Sequence, residues 1–133
     1  MYGSLDISTS GMVAQRTRMA VIASNIANAS SIQNDEGEYE PYLRRAAMFA
    51  PKGNGGEGLG VEVIDIQLDQ AALKKEQHIG HPNADKDGYI LVPDIDTTSE
   101  WVNGLQASRA YEANVIAAEA TKSMMAQALR LLG

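Results

Sequence analysis

The chain contains no cysteine and no long apolar run, and only seven of its 133 residues are aromatic: five Tyr, one Trp and one Phe. Without cysteine, disulfides, thiolate catalysis and thiolate metal sites are excluded. No apolar stretch approaches the roughly 20 residues that a membrane-spanning helix needs, so we expect a protein that does not span a membrane. The first residues lack a basic region followed by an apolar segment, so we expect no cleaved signal peptide.

Positive charge is also scarce. The 11 Lys and Arg are outnumbered by 17 Asp and Glu, and the formal net charge is -6. Nucleic-acid binding requires clustered cations facing the phosphates, so we expect no nucleic-acid partner. A chain of this length suffices for one modest domain.

The charges that are present lie mostly in the middle of the chain. Residues 1–34 carry three charged side chains and residues 97–133 carry six, whereas the other 19 lie within residues 35–96. Helices surrounded by water usually carry dense charge on their outer face. The charge-poor ends therefore predict two helices whose surfaces largely meet other protein, in residues 1–34 and 97–133, and a more solvated middle domain in residues 35–96.

Both ends have a helical pattern. The first helix is predicted over residues 4–29, with two sets of positions repeating every seven residues. One set is apolar (Leu5, Met12, Met19, Ile26), and the other is mixed (Ser8, Gln15, Ile22, Ala29). The last helix is predicted to begin after residues 94–99, with Asp96, Thr98 or Ser99 as the N-cap, and to continue to about Leu132.

Short strands are predicted between the helices, over residues 42–49, 60–69 and 89–92. Within residues 60–69 the apolar positions change parity between Val63 and Ile64, which allows a β-bulge there. A glycine-rich flexible loop is predicted over residues 53–58. The resulting fold class is α+β: long terminal helices that pack as an antiparallel coiled coil, with a small β-rich domain inserted between them.

The segment Asn83–Asp94 resembles a calcium-binding loop, with oxygen-bearing side chains at positions 1, 3, 5 and 12 and glycine at position 6. Position 9 is Leu91, however, and Pro82 precedes the loop where an entering helix is needed. We therefore favour a turn in which Asp85 and Asp87 accept bonds from backbone amides and Gly88 has a positive φ. A small calcium-binding module remains the alternative function.

The only two histidines, His78 and His81, lie three residues apart, with Asp85 and Asp87 nearby. A zinc or acid–base site would need a third strong ligand or a catalytic partner at a suitable spacing, and the sequence offers none. We therefore predict no catalytic residues, no metal site and no cofactor.

Several longer stretches resemble a known family. Residues 8–19, continuing through residues 24–29, resemble the amino-terminal signature of bacterial flagellar axial proteins. Residues 41–45, 80–89 and 108–115 narrow the resemblance to the proximal rod proteins of the flagellar basal body. Residues 30–40 depart from the family, which often has a Thr- and Gly-rich stretch where this chain has Ser30, Ser31 and an acidic segment at residues 34–40.

The resemblance implies a structural subunit without enzymatic activity. Its terminal helices would polymerise into the inner wall of the rod, the drive shaft that crosses the periplasm. Expected partners are further copies of the chain, other rod proteins, the adaptor between rod and membrane ring, and the flagellar type III export apparatus, which would replace a signal peptide.

The predicted assembly interface follows from the helical patterns and from the resemblance. Asn25 and Asn28 lie in an apolar stretch, where their amides either sit at a fraying helix end or form interhelical or intersubunit hydrogen bonds; we favour the second. The full predicted interface is Leu5, Met12, Met19, Ile22, Asn25, Ile26, Asn28, Leu105, Tyr111, Asn114, Ala118, Met125 and Leu129.

Overall fold

Two long helices enclose four short strands along the chain. The computed structural model describes residues 2–53 and 58–133. Within them the elements are α1 (Tyr2–Ala27), β1 (Arg45–Pro51), β2 (Val61–Leu68), β3 (Leu73–Gln77), β4 (Tyr89–Pro93) and α2 (Thr97–Leu132). The predicted α+β fold, with strands inserted between terminal helices, is confirmed. Most of the predicted flexible loop, residues 54–57, lies outside the described residues.

The two helices pack side by side in opposite directions. Gly11 of α1 lies against Asn114 of α2, Ile22 lies against Gly104, and Asn25 bonds to Glu100. Residue numbers therefore rise along one helix as they fall along the other, which confirms the antiparallel arrangement. Helix α2 begins at the predicted place because the Asp96 side chain accepts hydrogen bonds from the amides of Thr98 and Ser99.

The residues buried between the two helices are not those of the apolar heptad set of α1. The buried residues are small or polar for the most part: Ser8, Ala14, Val21, Ile22 and Asn25 of α1, with Glu100, Ala107, Ala118 and Thr121 of α2. The larger apolar set that begins at Leu5 is only half-buried, along the flank of the helix pair. Small side chains let the two backbones approach closely, and the bulkier side chains are therefore left at the edge of the contact.

Gly11 marks the closest approach. A Cβ atom at this position would lie 2.6 Å from Nδ2 of Asn114, inside the normal contact distance. Asn114 is itself held by a bond of 3.0 Å from Nδ2 to the carbonyl of Ala110. Glycine is required here by space, although it lowers the intrinsic helix propensity.

We expect Gly11→Ala to lower the free energy of unfolding by about 1–3 kcal/mol, because the added methyl group forces Asn114 or the helix out of place. Urea denaturation of the purified chain measures this. The control is Gly3→Ala, since a Cβ at Gly3 meets nothing within 4 Å. Adding Asn114→Ala to Gly11→Ala should recover most of the loss; a double variant as unstable as the single one would contradict the steric explanation.

The strands form two separate antiparallel pairs. β1 pairs with β2 from Arg45 opposite Leu68 to Pro51 opposite Val61, and the register shifts so that Ile64 is the extra residue. The predicted bulge is thus confirmed. β3 pairs with β4 from Leu73 opposite Pro93 onwards. The predicted strand at residues 42–49 begins only at Arg45. Before it, the Tyr42 side chain bonds to Asn25 of α1.

The β3–β4 pair has a small core and a protected edge. Ala72, Ile90 and Val92 are buried. The Tyr39 hydroxyl donates to the carbonyl of Leu91 at 2.7 Å and accepts from its amide at 2.9 Å, in place of a neighbouring strand. Asn34 holds the acidic turn before Tyr39, because its Oδ1 accepts from the amides of Glu36 and Glu38. The two bonds of the Tyr39 hydroxyl reduce unwanted strand pairing at this edge.

Candidate functional site: the polar junction and the apolar groove

Asn25 is the centre of a buried polar junction that joins three segments of the chain. Its side chain is fully buried. Nδ2 donates to the carbonyl of Arg45 at 2.8 Å and to Oε2 of Glu100 at 3.2 Å. Oδ1 accepts from the Tyr42 hydroxyl at 2.9 Å and from the Arg45 amide at 3.0 Å. All four hydrogen-bonding positions of the amide are used, which makes such a buried group favourable rather than costly.

The junction also neutralises a buried charge. Glu100, in the first turn of α2, is 2% exposed and forms an ion pair with the Nε of Arg44. A carboxylate at this depth requires both a cation and further donors, and Arg44 and Asn25 supply them. The junction therefore fixes α1, the start of β1 and α2 relative to one another.

The two asparagines predicted as interface residues differ in their surroundings. Asn25 forms the interhelical bond to Glu100, whereas Nδ2 of Asn28 donates to the carbonyl of Ser24 within its own chain segment, at 2.9 Å. Asn25 thus sets the register inside one chain, and Asn28 has the local contact typical of a helix end. A role of either residue between subunits stays a prediction.

An apolar groove opens beside this junction, between the second half of α1 and the first half of α2. Its volume is about 480 Å³. Its lining carries no charged side chain. The lining residues are Met19, Ile22, Ala23, Ile26 and Ala27 of α1, and Trp101, Gly104, Leu105 and Ser108 of α2. Trp101 is 66% exposed and Leu105 is 55% exposed, although both are large and apolar. Exposed apolar patches with a concave shape mark sites where other protein binds.

The groove collects some of the predicted interface residues and not others. Met19, Ile22, Ile26 and Leu105 line it. Asn25 and Ala118 are buried within the helix pair, and Leu129 is exposed near the end of α2. The remainder is half-buried and lies outside the groove: Leu5, Met12, Asn28, Tyr111, Asn114 and Met125.

Sequence reasoning missed Trp101 of the groove and Glu100, Arg44 and Tyr42 of the junction. Two of them could have been found from the sequence. Trp101 is the only tryptophan, and Glu100 is an isolated acid in a charge-poor helix. Tyr42 gave no signal, because its neighbours suggested an ordinary strand. Its hydroxyl lies 3.0 Å from Oγ of Ser24 as well as bonding to Asn25.

The candidate calcium loop forms a turn in which the Asp85 side chain bonds to backbone amides of the same loop. Oδ1 of Asp85 accepts from the amides of Asp87 and Tyr89 at 2.9 Å each, and Gly88 has φ 85°. The bond from the Tyr89 amide is the main reason why the pKa of Asp85 is lowered. The favoured turn is thus present, although Asp85 alone holds it.

The two histidines have separate local contacts. Nε2 of His78 lies 3.1 Å from Oε1 of Glu76, and Nδ1 of His81 accepts from the Asn83 amide at 3.1 Å. Across residues 2–53 and 58–133, no three acidic or histidine side chains are placed to hold a metal ion. Neither α1 nor α2 combines the length and apolar character that crossing a membrane requires.

Comparison with known proteins gives matches along nearly the whole chain. Residues 5–30 match the family described as "Flagella basal body rod protein", and residues 86–131 match "Flagellar basal body rod FlgEFG protein C-terminal". These two stretches contain most of α1 and α2, including every residue that lines the groove.

Three relatives named "Flagellar basal-body rod protein FlgC" show the extent of the similarity. The Borreliella burgdorferi protein is 35% identical over 150 residues, covering 99% of this chain and 97% of the relative. The Escherichia coli O6:H1 protein is 39% identical over 127 residues (95% and 93%), and the Bacillus subtilis protein is 34% identical over 145 residues (98% and 97%). The chain therefore belongs to the flagellar basal-body rod protein family.

Proposed function

We propose that this chain is a non-catalytic structural subunit of the proximal rod and that it polymerises through its terminal helices. The observation that carries the proposal is the apolar groove of a rod-family chain, left open between α1 and α2. Leu105 and Trp101 are more than half exposed in the single chain. Burying one such side chain contributes roughly 1.5–3 kcal/mol, so covering the groove favours association.

The interface extends beyond the groove along the flank of the helix pair. Leu5 and Met12 are half-buried there, and the apolar heptad set to which they belong continues into the groove as Met19 and Ile26. A neighbouring helix that covers this flank completes their burial. In this proposal, residues 1–34 and 97–133 form part of the axial core of the rod, and residues 35–96 form part of its outer region.

The proposed partners are those that the family resemblance implies. Further copies and other rod subunits would cover the helix pair. The adaptor to the membrane ring and the type III export apparatus complete the set of partners. The proposed location is the part of the basal body that crosses the periplasm.

Complementation tests this function. In the organism that encodes the chain, deletion of its gene should leave basal bodies without a complete rod, and the restored full-length chain should return both rods and swimming. Electron microscopy of isolated basal bodies measures rod completion, and an antibody detects the chain within them. A deletion strain with complete rods, or purified rods that lack the chain, would contradict the proposal.

A further inference from the structure

Helix α2 is longer than its partner and extends past it. The contacts of Gly11 with Asn114 and of Asn25 with Glu100 place Tyr2 opposite residue 123. The last nine residues of α2, 124–132, therefore extend about 13 Å beyond the start of α1. No residue of α2 after Thr121 is buried. We call residues 124–132 the overhang.

The overhang carries an apolar stripe on one face. Met125, Ala128, Leu129 and Leu132 follow the spacing i, i+3, i+4 and i+7, which places them on the same side of the helix. Leu129 is 68% exposed and Leu132 is 86% exposed. This spacing is the one by which an amphipathic helix anchors itself in an apolar groove of another protein.

The groove at the other end of the helix pair matches this stripe in size and chemistry. It extends along α1 from Met19 to Ala27, about 12 Å, and the stripe extends about 10 Å from Met125 to Leu132. Small residues, among them Ala23 and Gly104, leave room for a helix to approach. Neither the stripe nor the groove lining carries a charge.

We infer that the overhang stripe of one copy docks in the groove of a second copy, head to tail. A chain cannot fill its own groove, because Leu105 and Leu129 are separated by about 36 Å along the rigid α2. The two surfaces differ, so each bound copy still offers a free groove or a free overhang. Such a contact extends into a helical filament when its rotation does not close a ring. This inference rests on the proposed function and assigns it a specific contact.

Cysteine cross-linking tests the contact directly, since the natural chain has no cysteine. Ala23→Cys marks the groove and Ala128→Cys marks the overhang. Full-length chains carrying one substitution each, mixed and mildly oxidised, should form a covalent dimer. A chain carrying both should form a ladder of multiples. The control pairs Ala128→Cys with Ala113→Cys, an exposed α2 position outside the groove lining, and should form little dimer.

Two adjacent leucines provide a matched control for the stripe. Leu132→Asp in the Ala128→Cys chain should lower the dimer yield roughly tenfold or more, because it places a charge in the apolar contact. Leu131→Asp, which lies off the stripe and is 89% exposed, should leave the yield nearly unchanged. Both variants should unfold at the same urea concentration as the parent, since neither side chain is buried in the single chain.

Three results would overturn the head-to-tail contact. They are equal dimer yields from the groove pair and the Ala113→Cys control, no dimer at all, and a dimer yield that Leu132→Asp does not lower. This contact and the proposed rod function can fail independently of each other. A chain that completes rods without forming the link disproves this contact alone, whereas a chain that forms the link but does not complete rods contradicts the rod function and leaves the contact standing.

Discussion

Met19→Asp should abolish incorporation of the chain into the rod while leaving residues 38–96 folded. Met19 is half-buried on α1, where it lines the groove. An aspartate there must enter an apolar contact whose lining on this chain carries no charged side chain, and a carboxylate buried without a partner is strongly unfavourable. Strands β3 and β4 depend on other contacts, among them the buried Ile90 and Val92. The bonds from β1 and β2 to α1 go to Asn25 and Ser10, not to Met19.

The matched control is Met19→Leu, which nearly conserves volume and apolar character and should assemble normally. Electron microscopy of isolated basal bodies and swimming in soft agar report assembly, and limited proteolysis of the purified chain reports whether the middle domain is folded. If Met19→Asp still builds working rods, the part of α1 that lines the groove is not an interface. If it exposes residues 38–96 to protease in the single chain, the terminal helices and the middle domain form one unit rather than separable parts.

The elements that were predictable from sequence have strong local signals. Helix α1 follows from its heptad spacing, and α2 follows from the Asp96 cap and the long run without a breaker. The bulge at Ile64 follows from the change in apolar parity within β2. In each case the local sequence determines the secondary structure, and tertiary packing does not change it.

The elements that were missed depend on distant partners. β3, with the sequence LKKEQ, shows no alternation of apolar and polar residues, and it forms because β4 offers it a ladder of hydrogen bonds. The choice of seam was likewise hidden. The buried residues of α1 follow neither heptad set: Ser8 and Ile22 belong to the mixed set, whereas Ala14, Val21 and Asn25 belong to neither. The pairing of Arg44 with Glu100 joins residues that are 56 positions apart.

Strand β2 shows why burial in one chain is an incomplete guide to patterning. Ile64, Ile66 and Leu68 alternate with polar residues as in a strand that packs on a core, yet they are 61%, 44% and 49% exposed. In a polymer subunit the sequence pattern records contacts with neighbours as well as contacts within the chain. The alternation correctly predicted a strand, but it does not distinguish a core inside the chain from a surface covered by another subunit.

Asn25→Ala should lower the free energy of unfolding by about 2–4 kcal/mol, a large fraction of the stability of a small domain. The substitution removes all four hydrogen bonds of the amide at once. The amide and carbonyl of Arg45, the Tyr42 hydroxyl and the buried carboxylate of Glu100 each lose a partner. A methyl group cannot replace them, and the cavity that remains is lined by polar groups.

Asn28→Ala is the matched control for this junction, three positions further along the same stretch. Asn28 bonds to the carbonyl of Ser24 alone, so its removal should change the free energy of unfolding by no more than about 0.5 kcal/mol. Urea denaturation followed by circular dichroism gives both values on the same scale. Equal effects at the two positions would mean that helix-end capping, and not the junction, stabilises this region. A near-neutral Asn25→Ala would show that Arg44 alone holds Glu100 in place, because the ion pair would then keep α2 in register without the amide.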